Sequence, residues 1–316
     1  MLHNFTGGVD GWLPNGPVIF DSVGNLYGAT QNGGAYETGT VLELSPAGAS
    51  WTETVLHSFA GQHDGLYPQT GLIMDPAGNL YGATTRAVFE LSPSGGDWTA
   101  RTIYHVATND HIAAGLTMDA AGNIFGVSLS TVFELSSPNR HGVWHRTLIH
   151  TFAGGPNDGA YAQGTPVLDQ AGNLYGTTSG GGLGTGVGQG TVYELSPGKN
   201  GTWAEKILHF FKGGKDGRDP FAGVVLDAAG NIYGTTRAGG KPGSEGTVFE
   251  LLAPVGKGSY KYKILWKFNG PDGDSPYGSL ILDSAGDLYG TTYRGGSLEG
   301  GCESIPGCGV VFEVTP

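Results

Sequence analysis

Short stretches in which apolar and polar residues alternate recur along the whole chain, separated by glycine-rich turns. In the second such segment the alternation predicts four β-strands. They span residues 71–74, 79–84, 87–91 and 98 to about 105. The Asp-Pro-Ala-Gly sequence at 75–78 predicts a tight turn, because Asp can bond its own backbone and Gly adopts positive φ. Since no window of helical length keeps a 3.6-residue period, we expect an all-β protein.

The segments are copies of one unit. Its core reads Leu-Asp-x-Ala-Gly-Asn-Leu-Tyr-Gly-Thr-Thr, and Gly-Thr-Val-Phe-Glu-Leu-Ser-Pro follows after a Gly-rich stretch. The first Asp of the unit occurs at Asp21, Asp75, Asp119, Asp169, Asp227 and Asp283. Four short strands at a period of roughly 40–50 residues are typical of a propeller blade. The sequence therefore predicts a single six-bladed β-propeller domain over residues 1–316, with four antiparallel strands per blade.

The chain ends predict how the ring closes. The last repeat stops after its third strand, at 310–314, whereas the first residues read Leu-His-Asn-Phe at 2–5. The same type of sequence ends the fourth strands at 56–59 and 208–211. We therefore expect the N-terminal strand to complete the last blade, which would remove an exposed edge. An open fragment of a longer array is the alternative.

Two motifs carry a family resemblance. They are Gly-Asn-Leu-Tyr-Gly-Thr-Thr at 172–178 and Gly-Thr-Val-Phe-Glu-Leu at 246–251. This pattern resembles the GloVer tandem-repeat family of bacterial secreted proteins over essentially the whole chain. The third repeat departs from it, with Gly-Val-Ser at 126–128. The resemblance implies an extracellular or cell-surface protein whose export signal lies outside these residues, and it supplies no catalytic motif.

Composition excludes several classes of protein. The chain is 38% hydrophobic and 14% charged, the reverse of a disordered chain, although 59 of its 316 residues are Gly. Its net charge of −12 disfavours nucleic acid as a partner. The chain contains no run of about 18 apolar residues, so the sequence predicts no membrane span. We expect a monomer.

Two cysteines lie in one Gly/Pro-rich loop. Glu-Ser-Ile-Pro-Gly separates Cys302 from Cys308, and a turn over these residues can bring the two sulfurs together. We predict a disulfide, as expected in an oxidising compartment. A free pair would instead indicate a reducing one.

Residues repeated in every unit are poor candidates for a unique site. A Glu on the third strand recurs in all six units, and we interpret it as a blade-packing residue that hydrogen-bonds to the backbone or to an aromatic hydroxyl. An Asp recurs in the Gly-Gly-x-Asp-Gly loop that joins successive repeats, at Asp10, Asp64, Asp158, Asp216 and Asp272. A circle of such carboxylates can bind Ca²⁺, but Asp-Gly is also simply a good turn, which is the interpretation we favour. We therefore predict no metal and no cofactor.

Loop lengths differ between repeats and predict a groove. The loop between the second and third strands is short in the second and third repeats, at 84–87 and 128–131, and long in the fourth and sixth, at 179–190 and 293–309. In the third repeat an Asp-His pair replaces the Asp-Gly turn, and such a pair can do acid–base chemistry. Decay of one repeat is the plainer explanation. The predicted catalytic candidates are Asp110, His111, His105, Asp64 and Asp158.

Aromatic and arginine side chains around this groove suit a sugar ligand. The predicted substrate-binding residues are Arg86, Tyr161, Arg237, Tyr293 and Arg294. We expect the protein to be a secreted propeller that binds an extracellular carbohydrate on its loop face. The alternatives are an extracellular glycoside hydrolase or polysaccharide lyase, and a protein-binding scaffold. The sequence leaves enzyme activity open.

Overall fold

A computed structural model describes residues 1–61, 64–107, 110–138, 142–182, 188–240, 245–297 and 307–316. The secondary structure of these residues consists of β-strands and one 3₁₀ turn at Lys199–Gly201. The predicted all-β class is confirmed. Among these residues no helix is long and apolar enough to cross a membrane.

The first three repeats form three antiparallel sheets with strand orders β1-β3-β4-β5, β6-β7-β8-β9 and β10-β11-β12-β13. In the first sheet the short strand β2 also pairs with β3, so the innermost strand is broken into two pieces. The strands are β1 (Trp12–Pro14), β2 (Ile19–Phe20), β3 (Leu26–Asn32), β4 (Thr40–Ala47), β5 (Ser50–Ser58), β6 (Ile73–Met74), β7 (Leu80–Ala83), β8 (Ala87–Ser94), β9 (Asp97–His105), β10 (Thr117–Met118), β11 (Ile124–Val127), β12 (Thr131–Ser136) and β13 (His145–Thr151).

The last three repeats form sheets with strand orders β14-β15-β16-β17, β18-β19-β20-β21 and β22-β23-β24. The strands are β14 (Gly159–Leu168), β15 (Leu174–Gly181), β16 (Thr191–Pro197), β17 (Trp203–Phe210), β18 (Val225–Leu226), β19 (Ile232–Thr236), β20 (Thr247–Leu252), β21 (Lys261–Lys267), β22 (Ile281–Leu282), β23 (Leu288–Thr291) and β24 (Val311–Val314). The fold is the predicted six-bladed β-propeller with blades of four antiparallel strands, of which the last blade shows three among the described residues.

The last sheet contains three strands, and residues 2–5 do not belong to a β-strand. Completion of the last blade by the N-terminal segment therefore stays a prediction. The described residues form two compact units, Met1–Ser128 with Val132–Leu148, and Leu129–Thr131 with Ile149–Pro316. That the chain is one domain likewise stays a prediction.

The repeated Asp-x-Ala-Gly-Asn-Leu-Tyr motif is a self-contained turn. In the second repeat Asp75 Oδ1 accepts hydrogen bonds from the backbone N–H groups of Ala77 and Asn79, both at 2.9 Å. Its Oδ2 accepts from Asn79 Nδ2 at 2.8 Å and from the Tyr81 hydroxyl at 3.1 Å. Gly78 supplies the required positive φ, +86°. The motif thus consumes both carboxylate oxygens in holding its own hairpin together.

The Gly after that Tyr is fixed by packing. A Cβ added at Gly82 would lie 2.4 Å from Cζ of Phe89, because the Phe ring of β8 lies directly over the glycine of β7. Phe89 belongs to a buried cluster with Phe59 and Leu80. The same approach of ring to glycine is found at Gly126, Gly234 and Gly290. Tyr-Gly on one strand and Val-Phe on the next therefore specify each other.

The repeated Glu of the third strand is engaged within its own sheet, in line with its structural interpretation, and it is buried in the second repeat. Glu90 accepts a hydrogen bond from Ser92 at 3.2 Å and another from Arg101 Nε at 3.1 Å. These partners are side chains of the same sheet rather than the backbone or aromatic hydroxyl that we expected.

Candidate functional site

The predicted catalytic residue Asp64 holds a loop closed. Its carboxylate accepts backbone hydrogen bonds from Ala60 and Gly61, each at 2.9 Å, and His57 Nε2 lies 3.0 Å away. Burial acts to raise the pKa of Asp64, but these hydrogen bonds outweigh it and lower the pKa. The Asp-Gly turn interpretation accounts for the two backbone contacts, whereas the His57 contact comes from the preceding strand.

Asp158, the second candidate carboxylate from a flanking repeat, also accepts local bonds. The backbone N–H groups of Ala153 and Gly159 both donate to it at 2.6 Å. His150 Nε2 lies 3.5 Å from Asp158 Oδ1. Unlike the second repeat, this repeat also brings a Glu to the histidine, with Glu205 Oε1 3.4 Å from the same nitrogen. Burial, followed by the charge of Asp158, raises the pKa of Glu205 to about 7.

Asp110 and His111 form a tight local turn in the third repeat. Asp110 Oδ1 accepts the backbone N–H of His111 at 2.9 Å, while Asp110 itself donates its N–H to the carbonyl of Ala107 at 3.0 Å. The His111 side chain is exposed. The acid–base role of this pair stays a prediction.

Arg86 and His105 line one cavity within the first unit. Its volume is about 390 Å³, and Leu66, Tyr67 and Thr85 also line it. Two of the predicted site residues are thus brought together beside the short loop of the second repeat.

One strained backbone position recurs at the edge of the blades. Three residues after the loop Asp, a non-glycine residue has a left-handed φ of +54° to +60° in five repeats. These residues are Leu13, Tyr67, Tyr161, Asp219 and Ser275. Such a conformation costs about 1–3 kcal/mol and persists only where its surroundings enforce it.

In the second and fifth repeats a hydrogen bond to the preceding repeat holds this residue in place. The backbone N–H donates to the carbonyl of Thr38 from Tyr67 at 2.9 Å and to that of Gln189 from Asp219 at 3.0 Å. On the neighbouring strand, Arg237 donates its backbone N–H to the carbonyl of Asp219, also at 3.0 Å. The inter-repeat loop thus contacts the residue that follows the second strand of the blade. We call this junction the loop edge.

At the loop edge of the fifth and sixth repeats, aromatic and charged side chains converge within the second unit. We call this group the Arg237 cluster. It consists of Asp219, Phe221, Arg237, Tyr277, Tyr293 and Arg294. Three of its members, Arg237, Tyr293 and Arg294, are predicted substrate-binding residues.

Arg237 is held rigidly at the centre of the cluster. Its Nη2 donates to Asp219 Oδ2 at 2.9 Å and its Nη1 to the Tyr277 hydroxyl at 3.2 Å. Its guanidinium carbon lies 4.9 Å from the ring centre of Phe221 and 5.9 Å from that of Tyr277, both within cation–π range. The hydrogen bond that Arg237 donates to the Tyr277 hydroxyl is the first cause of the raised pKa of Arg237.

Two exposed rings extend from this centre. Tyr277 is 42% exposed and Tyr293 is 60% exposed, and their ring centres lie 5.7 Å apart in an edge-to-face arrangement. The Arg294 guanidinium lies 5.5 Å from the Tyr293 ring centre. Aromatic faces and a fixed guanidinium are therefore presented to solvent side by side.

Sequence reasoning missed Asp219, Phe221 and Tyr277. The signal was available in the register of the repeats. The position after the loop Pro is polar in the second repeat, where it is Gln69, but aromatic in the fifth and sixth.

Tyr161 occupies the strained position of the fourth repeat, and its carbonyl accepts the Ser179 hydroxyl at 3.3 Å. Cys302 lies outside the described residues, so its disulfide with Cys308 stays a prediction.

These features define a six-bladed β-propeller with an aromatic and arginine cluster at its loop edge. The chain belongs to the Gloeobacter/Verrucomicrobia repeat family, whose model matches residues 1–132 and 128–316. This confirms the resemblance inferred from the repeated motifs. No curated protein sequence matches the chain.

Solved structures share the fold at low sequence identity. A protein from Lactobacillus plantarum is 14% identical, with 88% of this chain and 77% of that chain covered and a TM-score of 0.58. A candidate 6-phosphogluconolactonase from Bacteroides uniformis is 13% identical, with 86% and 76% covered and a TM-score of 0.58. The calcium-binding protein regucalcin from Agrobacterium tumefaciens is 14% identical, with 96% and 89% covered and a TM-score of 0.52.

Proposed function

We propose that the protein is a carbohydrate-binding propeller and that its ligand contacts the Arg237 cluster. The observation that carries the proposal is the position of Arg237, which is fixed by Asp219 and Tyr277 beside two exposed tyrosine rings. In the second repeat, the equivalent loop edge carries Gln69 and Thr85.

The chemistry of the cluster fits a sugar. The C–H face of a pyranose stacks on exposed aromatic faces, and sugar hydroxyls or a carboxylate accept hydrogen bonds from guanidinium groups. Because Arg237 is already ordered by Asp219 and Phe221, little further side-chain entropy is lost on binding. The Bacteroides uniformis structure bears a name that refers to a sugar derivative, which is in keeping with this ligand class.

A binding screen with matched tyrosine variants tests the proposal. We expect the chain to bind at least one member of a panel of neutral and uronate-containing polysaccharides, measured by calorimetry. Tyr293→Ala should weaken that affinity about tenfold, equivalent to about 1.4 kcal/mol. The control is Tyr36→Ala, since Tyr36 is 61% exposed and Tyr293 is 60% exposed. Equal affinity of both variants, or no binding across the panel, would overturn the proposal.

Processing of the carbohydrate is the second candidate function. Arg86 and His105 share a cavity in the second repeat, and the acid–base pair Asp110 and His111 follows in the third. Asp110→Ala and His111→Ala, made singly, should each lower turnover of any cleaved polysaccharide. Unchanged turnover in both folded variants would remove these residues from the mechanism.

Export is proposed together with the disulfide. A secreted protein keeps a disulfide between Cys302 and Cys308, whereas a reducing compartment leaves two thiols. The intact mass of protein prepared under oxidising conditions should increase by about 2 Da on reduction, because each sulfur gains a hydrogen. An unchanged mass would contradict this expectation.

A further inference from the structure

The outer strands carry a repeated His–Asp pair whose geometry is not the same in every repeat. His57 Nε2 lies 3.0 Å from Asp64 Oδ2 and forms a hydrogen bond with it. His150 Nε2 lies 3.5 Å from Asp158 Oδ1 and has no hydrogen-bond partner among the described residues, although the atom is buried. The difference coincides with Glu205 of β17, whose Oε1 lies 3.4 Å from the same nitrogen.

The residue that faces the histidine differs between repeats. Glu205 stands two residues after Trp203, and the equivalent residue of the second repeat is Ala100. In the fifth repeat the equivalent residue is Tyr262, which stacks on His209 with ring centres 4.0 Å apart. The blade frame therefore does not require a carboxylate at this position, so the frame alone does not explain Glu205.

The three side chains have the separations of metal ligands. One ligand atom from each of His150, Asp158 and Glu205 lies within 4.8 Å of the other two. A tetrahedral ion with bonds of about 2.0–2.2 Å places its ligand atoms about 3.4 Å apart. The two measured contacts of His150 Nε2, 3.5 and 3.4 Å, match that edge length.

Two of the three potential ligands lack hydrogen-bond partners among the described residues, and the third is held in place by hydrogen bonds. Glu205 Oε1, like His150 Nε2, is buried without a hydrogen-bond partner among the described residues. Backbone N–H groups of Ala153 and Gly159 anchor the Asp158 carboxylate, as supporting hydrogen bonds do for metal-ligating carboxylates. An edge contact to Phe152, with ring centres 4.7 Å apart, orients the His150 ring.

We propose that His150, Asp158 and Glu205 bind a divalent transition-metal ion of the Zn²⁺ class, with water as the fourth ligand. One imidazole and two carboxylates suit such an ion. Ca²⁺ fits less well, because it takes six to eight oxygen ligands. The ion would join the outer strands β13 and β17, so that its main effect is on stability.

The first repeat offers a matched control. His3 lies 3.5 Å from Asp10, and Glu53 stands in the position that Glu205 occupies in the fourth repeat. However, Asp10 already accepts three hydrogen bonds from Thr6 and Gly8. Among the described residues, only the group around His150 brings three potential metal ligands together.

The experiment uses metal-stripped full-length protein titrated with Zn²⁺ and followed by calorimetry and thermal unfolding. At a hundredfold excess over Kd we expect Tm to rise by about 5 °C. Glu205→Gln should abolish this rise, whereas Glu53→Gln should retain it. His150→Gln is a second variant that preserves polarity and should also abolish the rise.

The competing explanation is a protonated Glu205 that shares its proton with Asp158 and binds no ion. It predicts no Zn²⁺-dependent rise in the starting protein, which would overturn the proposal. A rise that persists in both Glu205→Gln and His150→Gln would indicate an adventitious ion only and would overturn it equally. Co²⁺ substitution gives an independent measurement, since a tetrahedral visible spectrum should appear in the starting protein and disappear in Glu205→Gln.

Discussion

The second and fifth repeats use one loop frame to present different side chains. Each frame has a His–Asp hydrogen bond, His57 to Asp64 at 3.0 Å and His209 to Asp216 at 3.1 Å. Each also has a left-handed residue three positions after the Asp, with φ of +55° in the second repeat and +54° in the fifth. The backbone at the loop edge is thus closely similar in the two repeats.

The side chains carried by that backbone differ. The second repeat has Gln69 and Thr85 where the fifth has Phe221 and Arg237. In the fifth repeat these two residues contact each other, with the guanidinium over the ring at 4.9 Å. The repeated residues therefore determine the frame, whereas the non-repeated residues determine which side chains the frame presents.

Breaking the frame should have the largest effect. A Cβ at Gly65 would lie 2.2 Å from Thr84 Oγ1, and the φ of Gly65 is +99°. Gly65→Ala should therefore destabilise the protein by about 3 kcal/mol in urea unfolding. Gly217→Ala should cost less, because its Cβ would lie 2.7 Å from Thr236 Oγ1. A loss below about 0.5 kcal/mol in Gly65→Ala would contradict the rigid frame.

Removing the charge of the loop Asp should have the next largest effect. Asp64→Asn keeps the shape but loses charge-assisted hydrogen bonds, which should cost about 2 kcal/mol at pH 7. Because hydrogen bonding lowers the pKa of Asp64 below its ordinary value of 3.8, its contribution is present above that pH and is lost as pH falls further. The stability difference between variant and starting protein should therefore shrink below about pH 4. Urea unfolding at several pH values measures it, and a difference independent of pH would refute the assignment.

The frame was predictable from sequence because its determinants are local and repeated. The Asp75 turn closes on residues 77–81, and the ring-over-glycine packing joins adjacent strands. The predicted strands of the second repeat agree with β6 to β9 to within a few residues at their ends. The innermost strand is two residues shorter than predicted, since only Ile73 and Met74 are paired, and the third strand extends three residues further, to Ser94.

The Arg237 cluster was predictable only in part because its contacts depend on side-chain direction. The sequence marked Arg237 and Tyr293 as individual residues but did not predict that Asp219 and Phe221 hold the guanidinium. For the same reason the sequence did not predict that the side chains of His150, Asp158 and Glu205 lie together. Register aligns backbones, but the partner of a long side chain becomes clear only when both loops are placed.

Converting the fifth loop edge toward the second should affect binding more than folding. Arg237→Thr removes an ion pair and two cation–π contacts at a half-exposed site, so we expect a stability loss of about 1 kcal/mol or less. Affinity for the carbohydrate should fall about tenfold, or about 1.4 kcal/mol. The control is Thr85→Ala in the second repeat, which should leave affinity unchanged. Equal losses of affinity in both variants would contradict the expectation that the fifth loop edge, and not the second, binds the carbohydrate.

The smallest effect is expected at the strained residue itself. Asp219→Asn keeps a side chain that tolerates the left-handed conformation, so the backbone should stay in place. It removes the charge that orients Arg237 through a 2.9 Å contact, and the Arg237 side chain is 36% exposed, so solvent screening limits the stability cost to about 0.5 kcal/mol. Affinity should fall about threefold, because Arg237 must be ordered on binding rather than beforehand. Calorimetry beside Arg237→Thr distinguishes the roles: a loss as large as that of Arg237→Thr would mean that Asp219 contacts the ligand directly, whereas a threefold loss identifies it as a positioning residue.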